Sequence, residues 1–289
     1  MQTAPMVWLF AGLALSATGY SAAVLEACRR FRRRRALQAA PTRRPGISIL
    51  KPVRGLDAQF DQNLRAHQRQ DYPDFEILLA VADADDPAVE VARRLGIEPV
   101  ICGPSDAGNR KVAILERLAP RARHAWLMVD DADVRPDPDW LARGVAAFEA
   151  ENVGIASCLY RTPPGSTLGS KIDALYVSVD FPAQALTGAE LAGVPFALGA
   201  AMLFRREDLD RIGGFRAIRD YLADDYQLGA RIAALGERAV LSTSVVETTA
   251  GEATLASVWQ RHLRWSRTVR ISRPGGHFGL VVTFGTVWS

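Results

Sequence analysis

Apolar residues along this chain come in three textures. The first is a nearly unbroken run, Ala4 to Ala27 (APMVWLFAGLALSATGYSAAVLEA), whose single charge, Glu26, lies at its end. Roughly 20 such residues cross a bilayer as a helix, so the run predicts a spanning anchor, with Trp8 and Tyr20 toward the two interfaces. The second texture begins at Gly46, where short β-rich runs alternate with runs of helical period. Strands are predicted at Ile47–Leu50, Glu76–Ala82, Pro99–Cys102, Ala125–Val129 and Ile155–Leu159, and helices at Phe60–Arg69, Pro87–Leu95, Val112–Leu118 and Trp140–Glu149. Such alternation predicts an α/β domain, a mostly parallel sheet with helices on both faces. It continues as a helical run over Leu168–Leu186, an apolar run over Phe196–Phe204, a helix over Asp224–Leu235 and a strand over Ala239–Val246.

The third texture is mixed. Leu255–Arg270 (LASVWQRHLRWSRTVR) interleaves Leu255, Val258, Trp259, Leu263 and Trp265 with Arg261, Arg264, Arg267 and Arg270. That predicts a basic amphipathic helix lying on a membrane; the plainer alternative is a surface helix packing through Trp259 and Leu263. The apolar run Gly279–Trp288 is too short to span a bilayer and reads as an interfacial segment or the start of a longer one. The expected organisation is an anchor (1–28), a basic juxtamembrane linker (29–45), an α/β domain (46–252), and an amphipathic helix with an apolar tail (253–289).

Charge sharpens this picture. The net charge of +3 over 289 residues hides a segment, Arg29–Arg44, with eight arginines and no acid. The remainder is therefore net acidic, which excludes a globally basic nucleic-acid binder. In a cleaved signal peptide the positive charge precedes a shorter apolar core; here it follows the run, and the positive-inside tendency puts the bulk of the chain in the cytoplasm. The preponderance of Arg over Lys and the many alanines suggest a bacterial source, hence an inner membrane. Cys28, Cys102 and Cys158 are far apart, with neither zinc-site spacing nor a disulfide framework.

Candidate chemistry sits in four short islands. Asp131 and Asp133, in VDDADVRP, follow the apolar run AWLMV. Residues two apart face one side of an extended chain, and two carboxylates held together favour a cation such as Mg²⁺ or Mn²⁺ with open positions for phosphate oxygens. Asp130 should point the other way, in a supporting role. Asp83 ends the strand Glu76–Ala82, where a carboxylate can bind a nucleobase or ribose, while Asp86-Pro87 reads as a helix start. Asp224 and Asp225 open a helix, so that one can cap it and the other face a cleft as a general base; the residues alone do not choose between them. Arg261 and Trp265 share a helical face with Arg264 nearby, a pattern suited to a diphosphate and a sugar, or to a basic surface. Lys51, ending the first strand, and Lys111, beginning a helix, read equally as phosphate contacts or solvated lysines. Gly199-Ala-Ala can line a cleft, and Gly213-Gly214-Phe215 reads as a turn.

In order, Asp83, Asp131-x-Asp133, Asp225 and Arg261-x-x-Arg264-Trp265 resemble the D, D-x-D, D, (Q/R)-x-x-R-W series of membrane-associated inverting glycosyltransferases of GT-A fold. The segments SILKPVRGLD, QDYPDFEILLAVADADDPA, ASCLYRTPPG, LGAAMLFRREDLDRIGGF and RHLRWSRTVRISRPGG resemble the ceramide glucosyltransferase family, including its bacterial hopanoid-biosynthesis branch, from about Ile47 to Gly276. The resemblance implies a UDP-sugar donor, a divalent metal, a membrane lipid acceptor (a ceramide or a hopanoid polyol) and a bilayer partner. By position it implies donor contacts from Asp83, Lys111, Asp131, Arg261, Arg264 and Trp265, a metal on Asp131 and Asp133, and Asp225 as base. It also implies further transmembrane helices beyond this region. The rival class is a membrane-tethered module that binds a nucleotide sugar or lipid without turnover.

Overall fold

The computed structural model describes residues 4–193, 196–249, 251–275 and 277. The apolar tail Gly279–Trp288 lies outside them. Helix α1 (Ala4–Leu37) opens the chain. It does not stop where the apolar run stops: the arginine cluster expected as a linker is helical to Leu37. At 1.5 Å per residue α1 is about 50 Å long, and its apolar part satisfies the length and composition of a membrane span.

The α/β domain follows as β1 (Ile47–Val53), α2 (Phe60–Gln68), β2 (Phe75–Val81), α3 (Ala88–Arg94), β3 (Val100–Ile101), α4 (Arg110–Leu118), β4 (Trp126–Asp130), β5 (Val134–Arg135), α5 (Trp140–Ala146) and β6 (Val153–Arg161). Then come α6 (Leu168–Leu175), a π-helical turn (Tyr176–Asp180), α7 (Phe181–Ala192), β7 (Ala201–Arg205), α8 (Arg206–Arg211), α9 (Asp224–Ala233), β8 (Arg238–Thr248) and α10 (Leu255–Ser272). The eight strands form one sheet in the order β3-β2-β1-β4-β7-β6-β8-β5. Strands β1 to β4 are parallel. β7 runs antiparallel to both β4 and β6, β6 and β8 are parallel, and β5 pairs antiparallel with β8.

Burial explains the strand order. All seven residues of β1 are buried, as a strand covered on both faces must be. One face packs Leu115, Leu118, Phe204, Phe215, Leu228 and Ile232 from α4, β7, α9 and their connections. The other packs Trp140, Leu141 and Val145 of α5 onto Met128 and Leu203. Gly213 and Gly214, with φ of +91° and +68°, form the turn after α8 that their sequence predicts. β5 was not expected, because its two residues belong to the acidic motif and carry no strand pattern of their own.

The parallel strands β1, β2 and β4 all point their C-terminal ends toward one edge of the sheet. Between β4 and β7 the sheet changes from parallel to antiparallel. The strand order reverses between β1 and β4; a crevice forms outside the carboxyl ends at such a switch point, and the acidic motif after β4 lies there.

Candidate functional site

The β4 exit sorts its three aspartates by direction. Asp130, the last strand residue, is fully buried; its Oδ2 accepts from Lys51 Nζ at 2.6 Å and lies 2.7 Å from His67 Nε2. Burial alone would raise its carboxyl; Lys51 and His67 outweigh that and hold it below the usual range. Lys51 also donates to the Asp131 carbonyl at 2.7 Å. This corrects both readings of Lys51: it is neither a phosphate contact nor a solvated lysine, but the buried counter-ion that fixes the bend after β4. A lysine in an apolar strand shows no such partner until the fold supplies one.

Asp131 and Asp133 turn the other way and line a cavity of about 370 Å³ with Tyr160, Gly199, Asp225, Arg261, Arg264 and Trp265. The motif is tied down by Asp131 N donating to the Ala200 carbonyl at 3.1 Å. Asn63 Nδ2 donates to the Asp133 carbonyl at 3.2 Å. Burial first, and then the Asp131 charge, push the Asp133 carboxyl up to about 6. Asp131 is raised too, by burial partly offset by Lys111, although its side chain keeps 42% of its surface and so some solvation.

Lys111, in the first turn of α4, pairs with Asp131 Oδ1 at 2.7 Å and approaches Asp224 Oδ2 at 3.3 Å. Its helix is capped by Asn109, whose Oδ1 accepts from the amides of Lys111 and Val112. Burial would lower the ammonium, but the two aspartates win and it is raised. Asp224 faces this network through Asn109 Nδ2 and Lys111. Asp225 faces the cavity. Its Oδ1 accepts from Tyr226 N at 2.7 Å, and Oδ2 stands where a Cβ on Gly199 would lie only 2.8 Å away. Glycine is thus needed at 199 to seat this carboxylate. Burial, then the neighbouring Asp224, push Asp225 up to about 6.

The far wall is α10. Thr254 caps it, its hydroxyl accepting from Ser257 N at 3.1 Å. Arg261 Nη1 donates to Asp173 Oδ2, and His262 Nε2 lies 3.0 Å from Asp173 Oδ1. Asp173 is fully buried on α6, so this carboxylate ties α10 to α6. Trp265 stacks toward Tyr176 at 6.2 Å, and His262 completes the aromatic cluster, 4.4 Å from Tyr176 and 5.3 Å from Trp265. The sequence does not single out Asp173; nor do Tyr160, Thr162, Thr248 and Thr249, which also line the cavity, stand out from ordinary strand-end residues.

Asp83 stands apart. It is exposed at the end of β2, on the same sheet edge, and accepts from Asp85 N at 3.2 Å. It does not line the cavity. Asp86 behaves as a helix-start residue: Oδ1 accepts from Ala88 N at 2.9 Å, and Oδ2 accepts from Gly55 N at 2.7 Å.

No cluster of three or more His, Cys, Asp or Glu side chains in metal-holding geometry occurs among the described residues. The donor set nonetheless fits a hard cation. Asp131, Asp224 and Asp225 gather around one lysine, Lys111, with Asp133 beside Asp131, while Arg261 is engaged by Asp173. Asp224 Oδ2 is buried and makes no hydrogen bond among the described residues. Three carboxylates with raised pKa, Asp131, Asp133 and Asp225, and a surplus of negative charge are what a divalent ion relieves.

The family model of glycosyl transferase family 21 matches residues 9–289. Ceramide glucosyltransferase 1 of Caenorhabditis elegans is 25% identical over 229 residues, 76% of this chain and 49% of its own length. Ceramide glucosyltransferase of Komagataella phaffii is 31% identical over 90 residues, 31% of this chain and 17% of its own. The chain spans about half the length or less of these curated relatives. Among solved structures, the mannosyltransferase PcManGT of Pyrobaculum calidifontis, in complex with GDP-Man and Mn²⁺, is similar with TM-score 0.63 at 21% identity, covering 89% of this chain and 73% of that one. Glucosyl-3-phosphoglycerate synthase of Mycobacterium tuberculosis, with Mn²⁺, UDP and phosphoglyceric acid, is similar with TM-score 0.51 at 14% identity, covering 79% and 78%. These likenesses establish the GT-A fold that the family resemblance implies, on the α/β alternation read from the pattern. With the match running over nearly its whole length, the chain belongs to glycosyl transferase family 21.

Proposed function

We propose that the protein is an inverting glycosyltransferase that moves a sugar from a UDP-sugar to the hydroxyl of a membrane lipid, a ceramide or a hopanoid polyol, at the cytoplasmic leaflet. The observation that carries this reading is Asp225. It is a recessed carboxylate, held by Tyr226 N and seated by Gly199, and it looks across one cavity at Asp131, Asp133 and the Arg264–Trp265 wall.

Asp225 takes the proton of the acceptor hydroxyl as its oxygen attacks the anomeric carbon. The bond from that carbon to the UDP oxygen breaks on the opposite face, so the configuration inverts and UDP leaves with the bonding pair. Asp131 and Asp133 are the residues that would hold a divalent ion, which supplies charge neutralisation for the diphosphate. Lys111, already between Asp131 and Asp224, is a second cation within reach of that group. Arg264 supplies a forked donor, and Arg261, gripped by Asp173, presents the same helix face in a fixed position. Trp265 offers its indole to the sugar or the acceptor. Asp83, exposed at the end of β2, would read the nucleoside. The PcManGT and glucosyl-3-phosphoglycerate synthase complexes, with nucleotide and Mn²⁺ on the same fold, and the ceramide glucosyltransferase relatives support the donor, metal and acceptor classes.

The test is transfer in proteoliposomes. UDP-sugars are offered with ceramide or a hopanoid polyol, with Mg²⁺, Mn²⁺ or chelator. Wild type forms glycolipid only with metal present. Asp225→Asn retains UDP-sugar binding by calorimetry and loses on the order of 10²–10⁴-fold in turnover. Donor binding with no turnover for any acceptor identifies a binding module instead.

A further inference from the structure

Helices α6 and α7, joined by the π-helical turn, form one continuous rod from Leu168 to Ala192. This rod lies against α1. Phe31 and Ala27 of α1 share a buried cluster with Leu186, and Phe181 and Ala185 pack on it. Arg34 Nη2 reaches Glu190 at 2.8 Å, and Tyr20 faces Thr187 and Asp180. Residue numbers rise together in the two helices, so they run parallel. Tyr20 lies seven residues, about 10 Å, before the end of the apolar run of α1. The rod therefore packs on α1 through Phe181–Glu190, beside the end of that apolar run, and its half N-terminal to Asp180 continues from there.

That N-terminal half exposes an apolar stripe. Leu168 (63% accessible), Ile172 (44%), Leu175 (62%) and Val179 (55%) follow one another at helical spacing. The opposite side of the same helix is buried: Asp173 binds Arg261 and His262 of α10, and Val177 lines the cavity. α10 extends the stripe with exposed Leu255 and Trp259, and carries Arg264, Arg267 and Arg270 beside it. Large apolar side chains in a row on an otherwise well-packed domain mark a contact surface. Continuity with the span of α1 and the neighbouring arginines fit a lipid headgroup layer.

We propose that the stripe Leu168–Ile172–Leu175–Val179 is a second membrane contact. It sinks into the leaflet beside α1 and places the cavity wall made by Val177 and α10 at the headgroup level. The inference rests on the anchor reading of α1 and deepens the lipid-acceptor reading, because an acceptor can then enter the cavity between α6 and α10 without leaving the bilayer.

The test reads depth directly and needs no turnover. In a Cys28→Ser, Cys102→Ser background, an environment-sensitive NBD dye is attached at Ile172→Cys, Leu175→Cys or, as control, Glu98→Cys. Glu98 is exposed just before β3, at the edge of the sheet opposite the acidic islands. The proteins are reconstituted in phosphatidylcholine vesicles with and without doxyl-labelled phosphatidylcholine. The expected result is blue-shifted emission at 172 and 175 that is lost to doxyl lipid, with the control unshifted and unquenched. Emission at 172 and 175 matching the control overturns the proposal, whatever the transfer activity. Quenching at 172 and 175 with no glycolipid formed by wild type leaves the membrane contact standing and sinks the transferase reading instead. The Ile172→Glu/Leu175→Glu variant, still anchored by α1, is expected to keep UDP-sugar binding by calorimetry and lose lipid glycosylation; undiminished glycosylation argues against entry past this stripe.

Discussion

The three aspartates at the end of β4, Asp130, Asp131 and Asp133, differ in role because of where each side chain finds itself, and neighbours rather than identity decide. Asp130 is neutralised by Lys51 and His67 in a dry interior, while Asp131 and Asp133 line one cavity side by side, where the Asp131 charge raises Asp133. Replacing Lys51 by Met strands a buried carboxylate, and about 3–5 kcal/mol of stability should be lost; a denaturant titration that shows less than 1 kcal/mol would remove Lys51 from this role. The Asp130 group also sets an acid limit. Its folded carboxyl is depressed, so its contribution is full above the ordinary carboxylate range and disappears as pH falls through the lower folded value. Asp225 behaves oppositely. Pushed up to about 6, it is protonated below that pH and, as the proposed base, could not then take a proton from the acceptor. The ratio kcat/KM, which reports the free enzyme, is expected to fall tenfold per pH unit on the acid side of about 6, and a flat profile from pH 7 to pH 5 excludes Asp225 as base. The direction in which Asp130 points is legible in the sequence from simple alternation. Lys51 is not, since nothing local announces an ion pair between residues 79 apart. Nor does the sequence alone choose between Asp224 and Asp225; that depends on Lys111 and Gly199 arriving from separate elements.

At the scale of elements, the strands were the most readable part. Burial on both faces makes β1, β2 and β4 plain apolar runs, and the helices between them carry a clear period. The long helical run after Leu168 was visible too, but not its π turn, which no periodicity marks, nor the two-residue β5. The extent of α1 shows why boundaries are harder: an arginine cluster looks like a linker, yet Arg34 and Arg35 find Glu190, Asp137 and the Thr243 carbonyl, and the helix continues. The pairing that matters most for the site is α6 with α10, made by Asp173. Removing its carboxylate in Asp173→Asn keeps the shape of the side chain but weakens its grip on Arg261. We expect a rise in KM for the donor larger than any fall in kcat, with near-normal melting. A loss of stability with unchanged KM would mean that Asp173 only braces the two helices.

For the whole molecule, α1 is part of the core as well as a candidate span. Ala27 and Phe31 are buried against Leu159, Leu186 and Leu198. A chain beginning at Val24 should therefore stay monodisperse in mild detergent, while one beginning at Gln38, with that patch uncovered, should aggregate. Size-exclusion chromatography of the two separates this from a floppy tether, for which both would behave alike.

If α1 is the anchor proposed above, its packing along α7 keeps the α/β domain from swinging on it. The same packing that buries Phe31 would then set the domain's height and tilt over the lipid surface. On the transferase reading proposed above, Asp225 would stand at one set distance from the bilayer plane, and the protein would act as a ruler. Acceptors found by sliding within the membrane would be sorted by how far their hydroxyl stands out from it, before any side chain reads what they are.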